Sequence, residues 1–228
     1  MRNRLIKYIC LCLFLLPTAL FAQQEGGTDL GGILSLEGEK DLNRFFSLSF
    51  EEEVRFVTNT IGFDRSMTTV GIDYALFDRK VKLGAYYAFI YLYNSKYCFE
   101  PRHRYYFNLA YRETLGQFTL SWRGRVQGTT RDEDRGRYKI NPKYMMKNRF
   151  EVEYSIWGRP WKPFFSCDLS TELNDPTGND LSRIRFQTGT SWRLNRTDYL
   201  NFYLRWDEYL VDTDPRVFSL GIGFKRKF

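Results

Sequence analysis

Histidine is almost absent from this sequence: His103 is the only one. With a single histidine, no CxxC pair and no carboxylates at ligand spacing outside the run "RDEDR", the usual zinc and transition-metal sites are excluded. Cysteine is scarce too. Cys10 and Cys12 fall in the first 22 residues, which leaves Cys98 in a loop-like run and Cys167 in a strand-like one. Two such residues make no disulfide framework, and they are not paired here. Beyond residue 22 no stretch approaches the ~20 consecutive apolar residues of a membrane-crossing helix. No segment shows a convincing helical period, and there is no low-complexity tract. No metal and no cofactor are expected.

The first residues, "MRNRLIKYICLCLFLLPTALFAQQ", stand apart. Arg2, Arg4 and Lys7 precede an apolar core from Ile9 to Leu16, then Pro17 and the small Ala22. This is the layout of a secretory signal peptide, with cleavage expected between Ala22 and Gln23. The apolar stretch is too short for an anchor. Cys10 and Cys12 lie too early for a lipoprotein cleavage site. The segment carries three of the 34 basic residues and none of the 27 acidic ones, so the formal charge falls from +7 to +4 without it. So mild an excess, on an exported chain, argues against nucleic acid as a partner. Residues 23–228 are enough for one domain.

Rings are plentiful, with 20 Phe, 16 Tyr and 5 Trp, and they are interleaved with charge. Read for period two, the chain divides into segments at 45–57, 66–77, 81–94, 103–114, 117–127, 144–156, 163–173, 182–194, 198–210 and 216–228, with a shorter one at 32–40. In "QFTLSWRGRVQ", Phe118, Leu120, Trp122 and Val126 oppose Thr119, Ser121, Arg123 and Arg125. In "KNRFEVEYSI", Phe150, Val152, Tyr154 and Ile156 oppose Arg149, Glu151, Glu153 and Ser155. In "SRIRFQTGTSWRL", Ile184, Phe186 and Trp192 oppose Arg183, Arg185, Gln187 and Arg193.

A soluble sandwich also alternates, but three features predict a transmembrane antiparallel β-barrel. The segments have the length a tilted strand needs to cross a bilayer. Short connectors such as "TLGQ" and "LNRTD" alternate with longer polar ones such as "GTTRDEDRGRYKINPK", as in outer-membrane barrels with long loops outside. Trp157 and Trp161 flank one short turn, Trp192 precedes another, and Trp206 and Tyr93 approach the opposite ends, as two interfacial girdles require. The closing "RVFSLGIGFKRKF" places Phe218, Leu220, Ile222 and Phe224 on one face and ends on Phe228. Phe224 and Phe228 therefore read as a C-terminal membrane-insertion signal, and this strand as the one that completes closure.

The stretches "LSFEEEVRF", "RHRYYFNLAYRETLGQFTLSWRGRVQ", "FFSCDLSTEL" and "SLGIGFKRKF" resemble successive strands of domain-of-unknown-function family 2490. The resemblance covers nearly all of residues 23–228. It implies a small outer-membrane barrel and carries no activity with it.

The strand count is open between ten, eleven and twelve. Ten segments from 45 to 228 give an even barrel. Segment 32–40 is then a first strand that begins outside the cell, a lumenal segment, or half of a pair with residues 23–31. Face assignment sends Arg55, Lys82, Arg104, Arg112, Arg123, Arg125, Lys147, Arg149, Arg183, Arg185, Arg193 and Arg205 to the lumen. Glu51, Glu53, Asp73, Glu151, Glu153, Asp168, Glu172 and Asp207 join them. Charges of both signs in a narrow tube must pair. Strict alternation would turn Glu52 toward lipid, so a bulge within "EEE" is expected to bring it inward.

The expected role is that of a monomeric outer-membrane barrel of a Gram-negative-type envelope with an occluded lumen. Its contacts are outer-membrane lipids, lipopolysaccharide and the barrel-assembly machinery. A porin-like narrow channel for small anions is the alternative. A lipid-modifying enzyme built on His103, near the long-loop rim, is a second, but neither nucleophile nor orienting group is legible. "RDEDR" reads as a solvated loop tip.

Overall fold

A computed structural model describes residues 28–57, 62–94, 98–131, 141–175, 178, 180–210 and 216–228. The segment read as a signal peptide, residues 1–22, and residues 132–135 of "RDEDR" lie outside the described residues. Eleven strands account for most of the rest: β1 (Thr28–Asp41), β2 (Phe46–Val57), β3 (Gly62–Leu76), β4 (Val81–Asn94), β5 (Cys98–Leu115), β6 (Phe118–Arg131), β7 (Lys143–Tyr154), β8 (Trp161–Glu172), β9 (Leu181–Arg193), β10 (Asp198–Tyr209) and β11 (Arg216–Lys227). No helix occurs among the described residues.

The strands follow one another around a closed barrel, each antiparallel to the next. The seam differs. β1 and β11 pair in parallel, from Thr28 opposite Arg216 to Glu39 opposite Lys227. Parity requires this: ten reversals between eleven strands return the chain to its starting direction. The even count is therefore not the one found, and the 32–40 segment is part of a full wall strand rather than a lumenal segment or half of a pair. Thr28 lies at the end of the long connectors and Asp41 at the end of the short turns. There Phe228 donates its N–H to the Glu39 carbonyl at 2.8 Å, tying the last residue to the first strand.

Three segments begin at least four residues earlier than the pattern suggested: β1 starts at Thr28, β3 at Gly62 and β5 at Cys98. The composition of "NSKYCFEPR" reads as a loop, yet alternation persists through it. Phe99 stacks on Tyr91 with centroids 4.4 Å apart, while Glu100 and Arg102 pair on the other face at 2.8 Å.

The two faces of the wall differ in kind. Outside, Leu34, Leu36, Leu48, Phe50, Val70, Ile72, Phe107, Leu109, Leu120, Val126, Phe150, Val152, Leu204, Leu220 and Ile222 are all exposed. Cross-strand ring pairs border this belt. Toward the short turns these are Phe46–Tyr74, Phe118–Tyr154 and Trp161–Trp192, each within 4.9 Å. Toward the long connectors they are Tyr91–Phe99, Tyr87–Tyr105 and Phe186–Trp206. Trp157, at the tip of a short turn, is almost fully exposed. Inside, the buried residues are mainly Ser, Thr, Gln, Glu, Asp and Arg, with Ile33, Ala88, Ile90, Tyr106 and Tyr203 between them.

Glycine makes the interior fit. A Cβ at Gly221 would collide with the ring of Tyr203, and one at Gly71 with that of Tyr86. Two tyrosines thus lie flat against the wall where neighbouring strands carry no side chain. Tyr86 stacks on Tyr106 at 4.7 Å and donates its hydroxyl to Asp73 at 2.5 Å.

Candidate functional site

The inward positions of ten different strands supply ionic contacts, because alternation aims every second residue at the axis. On β10, Asp207 accepts from Arg185 of β9 at 2.6 and 3.2 Å, and Arg183 lies 3.6 Å away. Glu53 of β2 binds Arg55 at 2.6 Å and reaches Arg205 of β10 at 4.0 Å, across three strand intervals. Arg149 donates to Asp168 at 3.1 Å and to Gln187 at 2.9 Å. Lys143 meets Glu172 at 2.5 Å and Lys162 meets Glu153 at 3.2 Å. At the seam Lys225 joins Glu37 and Glu39, at 3.4 and 3.1 Å, and Lys82 and Lys227 approach Glu39 at 3.4 and 3.6 Å.

Two cavities divide this interior by charge. The larger, about 250 Å³, lies toward the short turns. Glu37, Glu39, Glu51, Asp73, Lys82, Arg123, Arg125 and Lys225 line it together with the Tyr86–Tyr106 stack. Arg125 sits 3.9 Å over the ring of Tyr106 and donates to Asn108 at 2.8 Å. The smaller, about 60 Å³, lies toward the long connectors. Its polar lining is wholly basic: Arg55, Arg65, Arg104, Lys147, Arg183 and Arg185, beside Met67 and Ile90.

The other lumenal candidates fall around these cavities. Glu151 faces inward between Ser121 and Ser166. Arg112 also points inward but is exposed, at the short-turn mouth. Arg193 ends β9 at that same mouth. The seam cluster of Lys225, Glu37 and Glu39 and the Arg65–Asp64 pair at 2.7 Å escaped the sequence reading. Alternation in "GFKRKF" and "SLEGEKD" contained the first, once the parallel register was known.

Glu52 corrects the sequence reading. No bulge occurs within the three glutamates; the irregularity falls at Arg55/Phe56. Glu52 stays on the outer face, opposite Leu36 and Thr68. Its carboxylate accepts from the hydroxyls of Ser66 and Thr68, the latter at 2.5 Å. Two donors from the next strand do what the bulge was expected to do, since they satisfy the charge without breaking the ladder.

His103 also lies on the outer wall. Its Nδ1 is 2.7 Å from the Tyr87 hydroxyl, and its ring packs beside Phe89 at 5.5 Å. Among the described residues no carboxylate or serine hydroxyl contacts the imidazole, and no group of His, Cys, Asp and Glu could hold a metal ion. Cys167 is a free thiol on the outer face. Phe224 sits opposite Leu36 and Leu200, and Phe228 is exposed beyond the end of β11.

Residues 32–209 match the family described as a protein of unknown function, DUF2490. The chain belongs to the DUF2490 family. No curated protein matches it. The matched span runs from within β1 into the end of β10, so the family pattern covers most of the barrel wall and its charged interior.

Proposed function

We propose that this DUF2490 protein is an outer-membrane barrel whose interior is closed by paired charges. Its role is structural or interactive rather than transport or catalysis. One observation carries the reading: the wall is inside out relative to a soluble barrel, apolar outside and ionic inside. In water such a protein would expose a continuous hydrophobic belt. In a bilayer the same belt is solvated by lipid, and closure satisfies every backbone group. The signal-peptide layout read in residues 1–22 and the outward apolar row of Leu220, Ile222 and Phe224 on β11 support export and insertion by the barrel-assembly machinery. Outer-membrane lipids and lipopolysaccharide would surround the monomer.

Eleven strands place the interior between eight-stranded barrels, which side chains fill, and porins of 16–18 strands, which hold water. Inward arginines such as Arg205, which reaches Glu53 across three strand intervals, with the rings of Tyr86, Tyr106 and Tyr203 packed inside the wall, favour the filled case. Purified protein in planar bilayers is therefore expected to show no steady conductance. The basic cavity toward the long connectors, in line with Arg123 and Arg125 of the larger one, favours a second reading, a narrow path for small anions. Steady anion-selective currents that lose selectivity in Arg123→Gln/Arg125→Gln would establish that path and defeat the closed interior.

The lipid-facing surface makes its own prediction. Removing both donors with Ser66→Ala and Thr68→Val leaves the Glu52 carboxylate bare in a medium that cannot hydrate it. A cost of about 2 kcal/mol is expected. Adding Glu52→Leu to that background should recover most of it. Urea unfolding from phospholipid vesicles measures both steps. A silent double substitution would mean that Glu52 is hydrated and the belt is misplaced there.

A further inference from the structure

We propose that the small upper cavity is a binding site for one tetrahedral dianion, phosphate or sulfate in chemistry. Six basic side chains line it and no acidic one does. Their partners lie outside the lining and are too few: Glu53 serves Arg55, Asp64 serves Arg65, and Asp207 serves Arg183 and Arg185 together. Arg104 has only neutral partners, the Thr129 hydroxyl at 3.1 Å and the Met67 sulfur at 3.8 Å. Lys147 has no ion pair or hydrogen bond among the described residues, and the buried Nε of Arg183 makes no hydrogen bond, only the 3.6 Å contact to Asp207. About 60 Å³ holds a few waters' worth of space at roughly 10–15 Å³ each, enough for one tetrahedral ion. Guanidinium forks and an ammonium converging from five strands suit oxygens on several faces of one ligand, which a chloride ion does not present.

The site rests on the closed-interior reading, because bulk water would screen these charges and dissolve a stoichiometric complex. The same chemistry is offered by free phosphate or sulfate and by the phosphate of a lipid head group. The enclosed position, on the inner face of the wall, favours the free ion.

Isothermal titration of inorganic phosphate, and separately of sulfate, into folded protein in a chloride-containing, phosphate-free buffer tests the proposal. Saturable one-to-one binding is expected, weakened at least tenfold in Lys147→Gln and in Arg104→Gln and unchanged in Arg112→Gln at the far mouth. Two separate variants guard against one failing to fold, and heat-dependent gel mobility confirms the barrel in each. Mixed micelles carrying a phosphomonoester lipid form the last arm. Competition with bound phosphate there assigns the site to the head group's phosphate as its source. No saturable binding, or binding indifferent to both substitutions, overturns the proposal. Conductance is read independently: a closed barrel that binds no anion sinks the site alone, whereas an open one sinks the closed interior.

Discussion

Asp207→Ala is expected to cost about 4 kcal/mol of folding stability, the scale for breaking a buried ion pair from one side. The Asp207 side chain is only 7% exposed, and it compensates two guanidinium groups, Arg185 through a bidentate contact and Arg183 at 3.6 Å. Truncation leaves both cations without their shared carboxylate, and Asp168, opposite Arg185 on β8, is already engaged by Arg149. The desolvation they suffered on folding is then uncompensated. Replacing all three, as Asp207→Leu with Arg183→Leu and Arg185→Met, should recover much of the loss, since apolar packing can stand in for a buried ionic cluster. The Arg79–Asp41 pair makes the contrast. It is also within hydrogen-bond distance, at 2.9 Å, but 45% and 46% exposed, so Asp41→Ala should cost well under about 1 kcal/mol. Urea unfolding in vesicles compares the two directly. Equal costs would mean that water fills the barrel.

Deleting residues 28–41 is expected to abolish the compact, heat-resistant monomer. The loss is not only of one ladder. β1 supplies the buried Ile33 and, through Glu37 and Glu39, the carboxylates that face Lys225, Lys227 and Lys82. The remaining ten strands have an even count and could close antiparallel through β2 and β11. That smaller barrel would hold the seam lysines without counter-charges and would be narrower around the same tyrosines. Unclosed, its two edges would leave a row of backbone groups unpaired in lipid. Protease resistance and heat-dependent mobility report the outcome. A ten-strand product as stable as the full chain would show that β1 is dispensable.

Most of the wall was legible because period two survives in nearly every strand, and because many inward charges are flanked by outward apolar residues. Arg183–Arg185 against Ile184–Phe186 is an example. What stayed hidden depends on register between strands distant in sequence. The strand count turned on whether "GGILSLEGEKD" pairs with "SLGIGFKRKF", and no local propensity encodes a parallel seam across nearly the whole chain. Glu52 was misjudged for the same reason. Its satisfaction comes from Ser66 and Thr68, which only the β2–β3 register brings alongside. The basic cavity was hidden too. Arg104, Lys147 and Arg183 were each assigned inward, but their convergence at one height follows from the tilt of strands that are not neighbours.

The strand count and the way the barrel closes depend on the parallel seam, so a disulfide across it is the most direct test. Ser35 and Gly223 are register partners on the inner face, and a Cβ at Gly223 would lie 2.6 Å from the Ser35 hydroxyl oxygen. With Cys98 and Cys167 replaced by serine, Ser35→Cys/Gly223→Cys is expected to form an intramolecular bond in the folded barrel on mild oxidation. Mass spectrometry of the linked peptides identifies it. Glu37→Cys/Gly223→Cys, two residues out of register, should remain reduced under the same conditions. Preferential linkage of the second pair, bonds only between separate molecules, or no bond in either would contradict an eleven-strand barrel closed by β1 running parallel to β11.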